Sequence, residues 1–385
     1  MSHSPMDRKE LIALVRHLHQ TATPWIPSGL GTRLDWGAPI HADHPTVSCR
    51  GLNRVIDHAI DDLTITVEAG LPLQELQALL AAQGQWLPVD WPWGGEPSGS
   101  IGGLVARGMA GGLRQRHLGV RDQIIGIGLL RSDGIEAHAG GRVVKNVAGY
   151  DLMRLLCGSW GSLALITELT LRVQPMRPSH GTVILHGPLN SQERCRADVL
   201  RSSLTPERID WIQSNGEATQ LRLLVSSVSD VAVETQLSRI KTMAEQHGLS
   251  VERHADVQPL DAPIPRAGGR WLVRVMVPPA RLHVLLSSNE YQALKGWSWC
   301  LAAGAGIGDG WAADNDTTAA HSVAALRQRL ETLGGRLTVL RQLESSNQRL
   351  PAWGDAPAKA VIEAVKRQFD PQQQLCRGRL PGVEA

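Results

Sequence analysis

The run Pro97-Ser98-Gly99-Ser100-Ile101-Gly102-Gly103, continuing to Ala110-Gly111-Gly112-Leu113-Arg114, constrains this chain more than any other part of it. It holds too many glycines for an ordinary helix or strand. Glycine reaches positive φ without steric cost and lets backbone N–H groups come close to a ligand. Successive N–H groups in such a loop form a concavity that suits an anion, phosphate above all. Turns and tight packing also use glycine, so the run taken alone leaves two readings open, an anion cradle and a turn.

Two other stretches bear on the choice. Trp25-Ile26 reads as a short buried strand leading into Pro27-Ser28-Gly29-Leu30-Gly31-Thr32. A strand followed by a Gly/Ser/Thr loop is a common phosphate-cradle arrangement, with a tight turn as the other reading. No Gly-Lys-Ser/Thr follows, so it is not a Walker loop. The third glycine and following helix of a dinucleotide fingerprint are also missing. Downstream, Lys145-Asn146-Val147-Ala148-Gly149-Tyr150-Asp151-Leu152 opens a short helix. Gly158-Ser159-Trp160-Gly161-Ser162-Leu163-Ala164-Leu165-Ile166-Thr167 then enters a strand that runs to Val173. Leu163, Leu165, Leu169, Leu171 and Val173 share one face at period two. Glycines just before a buried strand let it lie close to another backbone or to a flat ligand.

The remaining periodicities sketch the architecture. Ser4-Pro5-x-Asp7 predicts an N-cap, a first-turn proline and a first-turn acid, opening a helix with the stripe Leu11, Leu14, Val15, Leu18. Thr64–Glu68 alternates as a strand, and 72–83 is a helix ended by Gly84. Leu87–Asp90 is a connector. Ile124–Leu130 is a buried strand, turned at Ser132-Asp133-Gly134 into Ile135–Ala139. Texture changes near Pro175 and Pro178. Beyond them, helices near 191–203, 230–247 and 316–333 alternate with strands near 182–186, 207–212, 221–226, 271–277 and 336–340. This predicts an α+β unit with an antiparallel sheet and helices on one face. A last helix, 355–369, ends at Phe369-Asp370-Pro371. The expected division is 1–175, 176–350 and 351–385.

With 385 residues the chain is long enough for two domains. A net charge of +2 gives no electrostatic case for nucleic acid or a membrane surface. Its five cysteines form no CxxC pair, so neither a zinc site nor an iron–sulfur cluster is encoded in them. Dispersed cysteines without a signal peptide predict a reducing cytosol. No apolar run approaches the roughly 18 residues that span a bilayer, so membrane association is expected only through a partner.

Taken together, the three glycine-bearing stretches resemble the FAD-binding domain shared by vanillyl-alcohol oxidase and p-cresol methylhydroxylase. Pro27–Thr32 resembles that family's first pyrophosphate loop. Gly99–Gly103 and Gly111–Arg114, with Arg116-His117-Leu118-Gly119, resemble the second. Gly149–Leu152 and Gly158–Thr167 resemble its GYDL and GSEGTLGVIT pair, whose strand runs beside the flavin. Phe369-Asp370-Pro371 with Gly378-Arg379 is similar to the tail that packs back on the flavin domain. The implied fold is α+β: a two-subdomain FAD-binding domain followed by a smaller α+β cap with an antiparallel sheet. The implied cofactor residues are Pro27, Ser28, Gly29, Leu30, Gly31, Thr32, Pro97, Gly99, Ser100, Ile101, Gly102, Gly103, Gly111, Gly112, Gly161, Leu165, Ile166 and Thr167. Covalent branches of the family place a histidine in the first loop. Leu30 and Thr32 stand there instead, which implies noncovalent FAD. His117 is the nearest other attachment point, and its alternative is a structural role in its turn.

Within the family the chain resembles the FAD-binding subunits of glycolate dehydrogenase (glycolate oxidase). This implies a catalytic flavin subunit and an iron–sulfur subunit as partners, and oxidation of glycolate to glyoxylate with electrons passed through flavin to a partner. A stand-alone FAD oxidoreductase of another small hydroxy acid or alcohol, and a non-catalytic assembly subunit, are the alternatives. Related two-hydroxy-acid dehydrogenases bind a metal through a His-x-Gly-x-Gly-Asn-x-x-His stretch. Here Ala303–Trp311 keeps the glycines and lacks the histidines, and His321 stands alone on a helix, so no metal is expected. Arg107, Arg114 and Lys145 are candidate cations for a substrate carboxylate. Tyr150 and Asp151 have packing and capping as their simpler roles, and no residue stands out as general base. Trp91-Pro92-Trp93 and Trp297-Ser298-Trp299 read as partner surfaces or as core.

Overall fold

The computed structural model describes residues 2–90, 99–141, 152–214, 216–254, 271–312, 320–342 and 349–380. Trp91, Trp93, Pro97 and the Lys145, Tyr150 and Asp151 candidates lie outside them. The alternating strands of the first half assemble into a five-stranded antiparallel sheet, in the order Val55–Ala59, Thr64–Glu68, Leu165–Arg172, Ile124–Leu130, Glu136–Gly140. The helix Leu73–Ala81 lays Leu73, Leu76 and Leu80 on the core of this sheet. The helix Ile101–Arg107 adds Ile101, Leu104 and Val105. Each such side chain contributes about 1.5–3 kcal/mol of burial. The single-face expectation for the strand through Leu165 needs correction. Its register against Ile124–Leu130 shifts at Gly128/Leu129. As a result Ile166 joins the main core, while Leu165 turns to a smaller one with Trp25, Val47 and Leu130. A bulge of this kind re-aims side chains by inserting one residue in the ladder.

The first helix also starts later than Ser4-Pro5 suggests. It spans Arg8–Gln20, and Asp7 is the N-cap, its extended backbone letting the carboxylate accept from Glu10 N at 2.8 Å. Its apolar stripe, Leu11, Val15 and Leu18, covers a three-stranded parallel sheet ordered Ser2–His3, Thr46–Ser48, Ile26–Ser28.

The second half forms an eight-stranded antiparallel sheet, ordered Ser250–His254, Ser179–His186, Gln220–Ser227, Arg208–Gln213, Ser298–Ala302, Ile307–Trp311, Leu272–Met276, Arg336–Arg341. Three of these strands, Ser250–His254 and the hairpin Ser298–Ala302/Ile307–Trp311, carry no strand signal in the sequence. The hairpin's glycines look like a loop, yet they make room for tryptophan: a Cβ on Gly310 would fall 2.2 Å from the Trp299 ring. The helices Leu189–Arg201, Asp230–Gln246 and Ala320–Thr332 cover one face. Between them and the sheet lies a core built on Trp211, Trp271, Trp297 and Trp299. Trp297 and Trp299 are therefore core, not a surface for a partner.

The opposite face of this sheet meets the first half of the chain. Leu272, Cys300, Trp311 and Leu340 pack there with Trp36, joined by Met109 and Trp160. The final helix, Lys359–Phe369, returns to the first sheet, where Ile362, Val365 and Phe369 pack on its core. Lys366 is buried with it, and its Nζ donates to Ser162 O (2.8 Å), Leu375 O (2.7 Å) and Asp370 (2.5 Å).

Candidate functional site

The strand Ile26–Ser28 delivers the chain into a cleft. Of the residues selected from the sequence, Pro27, Ser28, Gly29, Leu30, Gly31, Thr32, Gly99, Ser100, Gly102, Gly103, Gly161, Leu165 and Ile166 line it. Three segments far apart in sequence thus share one wall. Ile101, Gly111, Gly112 and Thr167 stand outside the lining, and Pro97 lies outside the described residues.

The first loop is built as a donor surface. The carbonyl of Ser28 accepts from Cys49 N (2.8 Å), that of Gly29 from Ser48 Oγ (2.7 Å), and that of Leu30 from Arg50 Nη2 (3.3 Å). With the carbonyls tied off, the N–H groups of Gly29, Leu30, Gly31 and Thr32 donate to no backbone carbonyl among the described residues. Gly31 sits at φ +73°, where a side chain would be strained.

The second run corrects the expectation of a second N–H cradle. Ile101 N donates to Leu71 O (2.9 Å), Gly102 N to Ala69 O (2.8 Å) and Gly103 N to its N-cap Ser100 Oγ (3.2 Å). These donors are spent on the fold. The glycines act by size instead: a Cβ on Gly29 would lie 1.8 Å from Ser100 Oγ, and one on Gly102 would lie 2.8 Å from Ala69 Cβ. Gly111 and Gly112 serve elsewhere. Gly111 N donates to Asp90 Oδ2 (2.7 Å) and Leu113 N to Asp90 Oδ1 (3.2 Å). Gly112 packs so tightly on Asp210 and Arg208 that a Cβ would fall within 2.6 Å of both. Asp90 in turn meets Arg208 (3.5 Å), which donates to Asp210 (2.9 Å). The Gly111–Leu113 turn is a clasp between the two sheets. Thr167 is held by its own carbonyl, which accepts from Ala69 N at 3.0 Å.

The charge in the cleft was largely hidden in the sequence. Arg33, Arg107 and Arg379 line it, and no Asp or Glu does among the described residues. Arg33 and Arg107 lie 5.4 and 5.1 Å from the Trp36 ring, within cation–π range. Burial pushes the Arg107 guanidinium down to about 9, with Arg33 and Arg274 adding repulsion. Burial pushes Arg33 down to about 10 against the pull of Asp35. Arg107 Nε donates to Gly103 O (3.2 Å), and its buried Nη1 has no partner. Arg379 donates to the carbonyls of Leu34 and Trp36 and so ties the tail to the first loop. The other candidate cation, Arg114, is exposed and outside the cleft.

Cys49 and Cys376 also line the cleft, both with thiols pushed up by burial, Cys49 to about 12. His117 is buried away from it, bonded to Glu207 across the clasp at 2.6 Å. The stretch Ala303–Trp311 is a strand hairpin in which the fully buried Asp309 holds Arg274 through two bonds of 2.8 Å.

A positive, glycine-floored cleft of this kind suits an anionic ligand. The sequence profile of the FAD binding domain family matches residues 3–140. Among particular proteins, the chain is 34% identical over 215 residues to glycolate oxidase subunit GlcE of Escherichia coli (strain K12), covering 55% of this chain and 59% of that one. It is 34% identical over 185 residues to D-2-hydroxyglutarate dehydrogenase of Xanthomonas citri pv. viticola, covering 48% of this chain and 39% of that one. The matched part thus spans less than two thirds of either relative. Alkyldihydroxyacetonephosphate synthase shares the fold at a TM-score of 0.70 and 14% identity, over 97% of this chain and 75% of that chain.

Proposed function

We propose that this chain is the FAD-binding subunit of a multi-subunit glycolate dehydrogenase, turning glycolate into glyoxylate and passing electrons through its flavin to a partner. In this reading 1–175 holds the flavin, 176–350 caps it and 351–385 latches the two. The observation that carries the reading is one cleft lined both by Gly29–Thr32, whose N–H groups donate to no backbone carbonyl among the described residues, and by Arg107, whose buried Nη1 has no hydrogen-bond partner among them. Backbone donors and a buried cation with an orphaned N–H are what a pyrophosphate requires.

The residues fit the cofactor. Gly29–Thr32 and Arg107 would bind the pyrophosphate, Gly102 and Gly103 would keep its path open, and Gly161, Ala164, Leu165 and Ile166 would make an apolar wall for the ring. Bound there, FAD supplies a two-electron acceptor. Trp36 and Trp160 exclude water at the seam with the cap. No histidine lines the cleft among the described residues, and Cys49 is a protonated thiol, which supports noncovalent binding. The word subunit in the name of the glycolate oxidase relative supports partners, here assigned as a catalytic flavin subunit and an iron–sulfur subunit.

The test is an absorption spectrum of the purified chain. It is expected to be yellow, with one flavin per chain. Glycolate alone should leave the flavin oxidised, and co-expressed partners should restore bleaching. Rapid turnover of glycolate by the isolated chain would overturn the subunit assignment.

A further inference from the structure

Between the first loop and the strand Thr46–Ser48 runs an irregular segment that the flavin reading leaves unused at one end. We propose that His41, Asp43 and His44 on it form a transition-metal site. One donor atom from each lies within 4.8 Å of the other two. The turn is closed by His44 N donating to His41 O (3.1 Å), and the two imidazoles stack with centroids 4.7 Å apart. No side-chain hydrogen bond or ion pair occupies any of the three among the described residues, and His44 Nδ1 is a buried atom without a partner. Ion pairs consume the exposed acids at other histidines, as at His186–Glu252 and His247–Asp198, so this cluster stands apart.

The donor set decides the ion. Two imidazoles and one carboxylate suit Zn²⁺, Co²⁺ or Ni²⁺, whereas Mg²⁺ and Ca²⁺ want oxygen alone. Tetrahedral Zn²⁺ with bonds of roughly 2.0–2.1 Å needs donors about 3.3 Å apart, a closure that mostly exposed side chains can make by rotamer change. Three protein ligands leave a fourth position for water.

The location gives the ion a mechanical consequence. The same segment carries Leu34 and Trp36, whose carbonyls accept from Arg379, and Gly37 N donates to Leu340 O of the cap sheet at 2.7 Å. A bound ion would brace the far end of the loop that joins the cleft to the cap.

The experiment uses the full chain freed of metal with a chelator. Zn²⁺ alone is titrated by calorimetry, and Co²⁺ alone by its visible absorption. One equivalent is expected to bind to the native chain. His44→Ala should weaken it at least tenfold, and the triple variant His41→Ala, Asp43→Ala, His44→Ala should lose it while keeping the native thermal melt. The chain has 14 histidines, so the variants are decisive. Unchanged stoichiometry and affinity in the triple variant would assign the binding to other residues and overturn the proposal. Absence of binding by the native chain would overturn it as well, whether or not the protein carries flavin.

Discussion

Gly29 has its identity because of one neighbour, Ser100 Oγ, which a Cβ would meet at 1.8 Å. Gly29→Ala is therefore expected to cut flavin occupancy at least tenfold, read from the ratio of flavin to protein absorbance. Adding Ser100→Gly should restore much of it, because a glycine N-cap costs only a few tenths of a kcal/mol. Arg107 acts by charge. Arg107→Met keeps the stem and removes the cation, and FAD affinity should fall by about tenfold or more, since hydrogen bonds to charged groups are worth about 1.5–3 kcal/mol. Acid precipitation of the native protein should release all of its flavin to the supernatant. Retention on the pellet would mean a covalent link, with Cys49 and Cys376 the thiols to examine. The glycines of the first loop could be read from the chain because their spacing is local. Arg107 is a candidate cation in the sequence, but Arg33 and Arg379 come from distant segments, and only their shared lining of the cleft singles them out from other arginines.

Asp90 shows what elements add. It ends a connector that reads as a rigid link, and its carboxylate caps the Gly111–Leu113 turn while meeting Arg208 of the cap sheet. Removing one partner of a buried charge cluster leaves the others unpaired, so Asp90→Ala should destabilise the chain by about 3 kcal/mol in urea unfolding. Asp90→Asn should cost less. The amphipathic helices were legible within a few residues of their ends, because an apolar face repeating every three to four residues matches the helical period and not the strand period. The hairpin Ser298–Ala302/Ile307–Trp311 was not. Its strands are buried on both faces, so they lack alternation, and glycines that fit against Trp299 look like loop glycines until the partner strand is in place.

Across the whole molecule, two sheets face each other over a seam closed by His117–Glu207, Asp90–Arg208 and the cluster around Trp36. Burial alone would raise the Glu207 carboxyl, but the hydrogen bond from His117, with the charges of His117 and Arg177, overcomes it and holds Glu207 below the usual value. A carboxylate depressed in this way stabilises the fold above the unfolded glutamate value, about 4.3, and that stability is lost as pH falls through the folded one. Unfolding monitored by tryptophan fluorescence should show stability falling below about pH 4.5, and Glu207→Gln should flatten this limb. Among the described residues no helix is long and apolar enough to cross a membrane. By itself the sequence determined the local devices: the Pro27–Thr32 loop, the helical stripes and the spacing of the glycine-bearing segments. These are set by backbone sterics and periodicity within a few residues. Only the tertiary structure decided which first-loop N–H groups donate to no backbone carbonyl among the described residues, which arginines gather in the cleft, and that Gly111 and Gly112 pack against Asp90, Arg208 and Asp210. Those properties depend on what stands opposite each group, and the opposing groups come from parts of the chain that no local pattern connects.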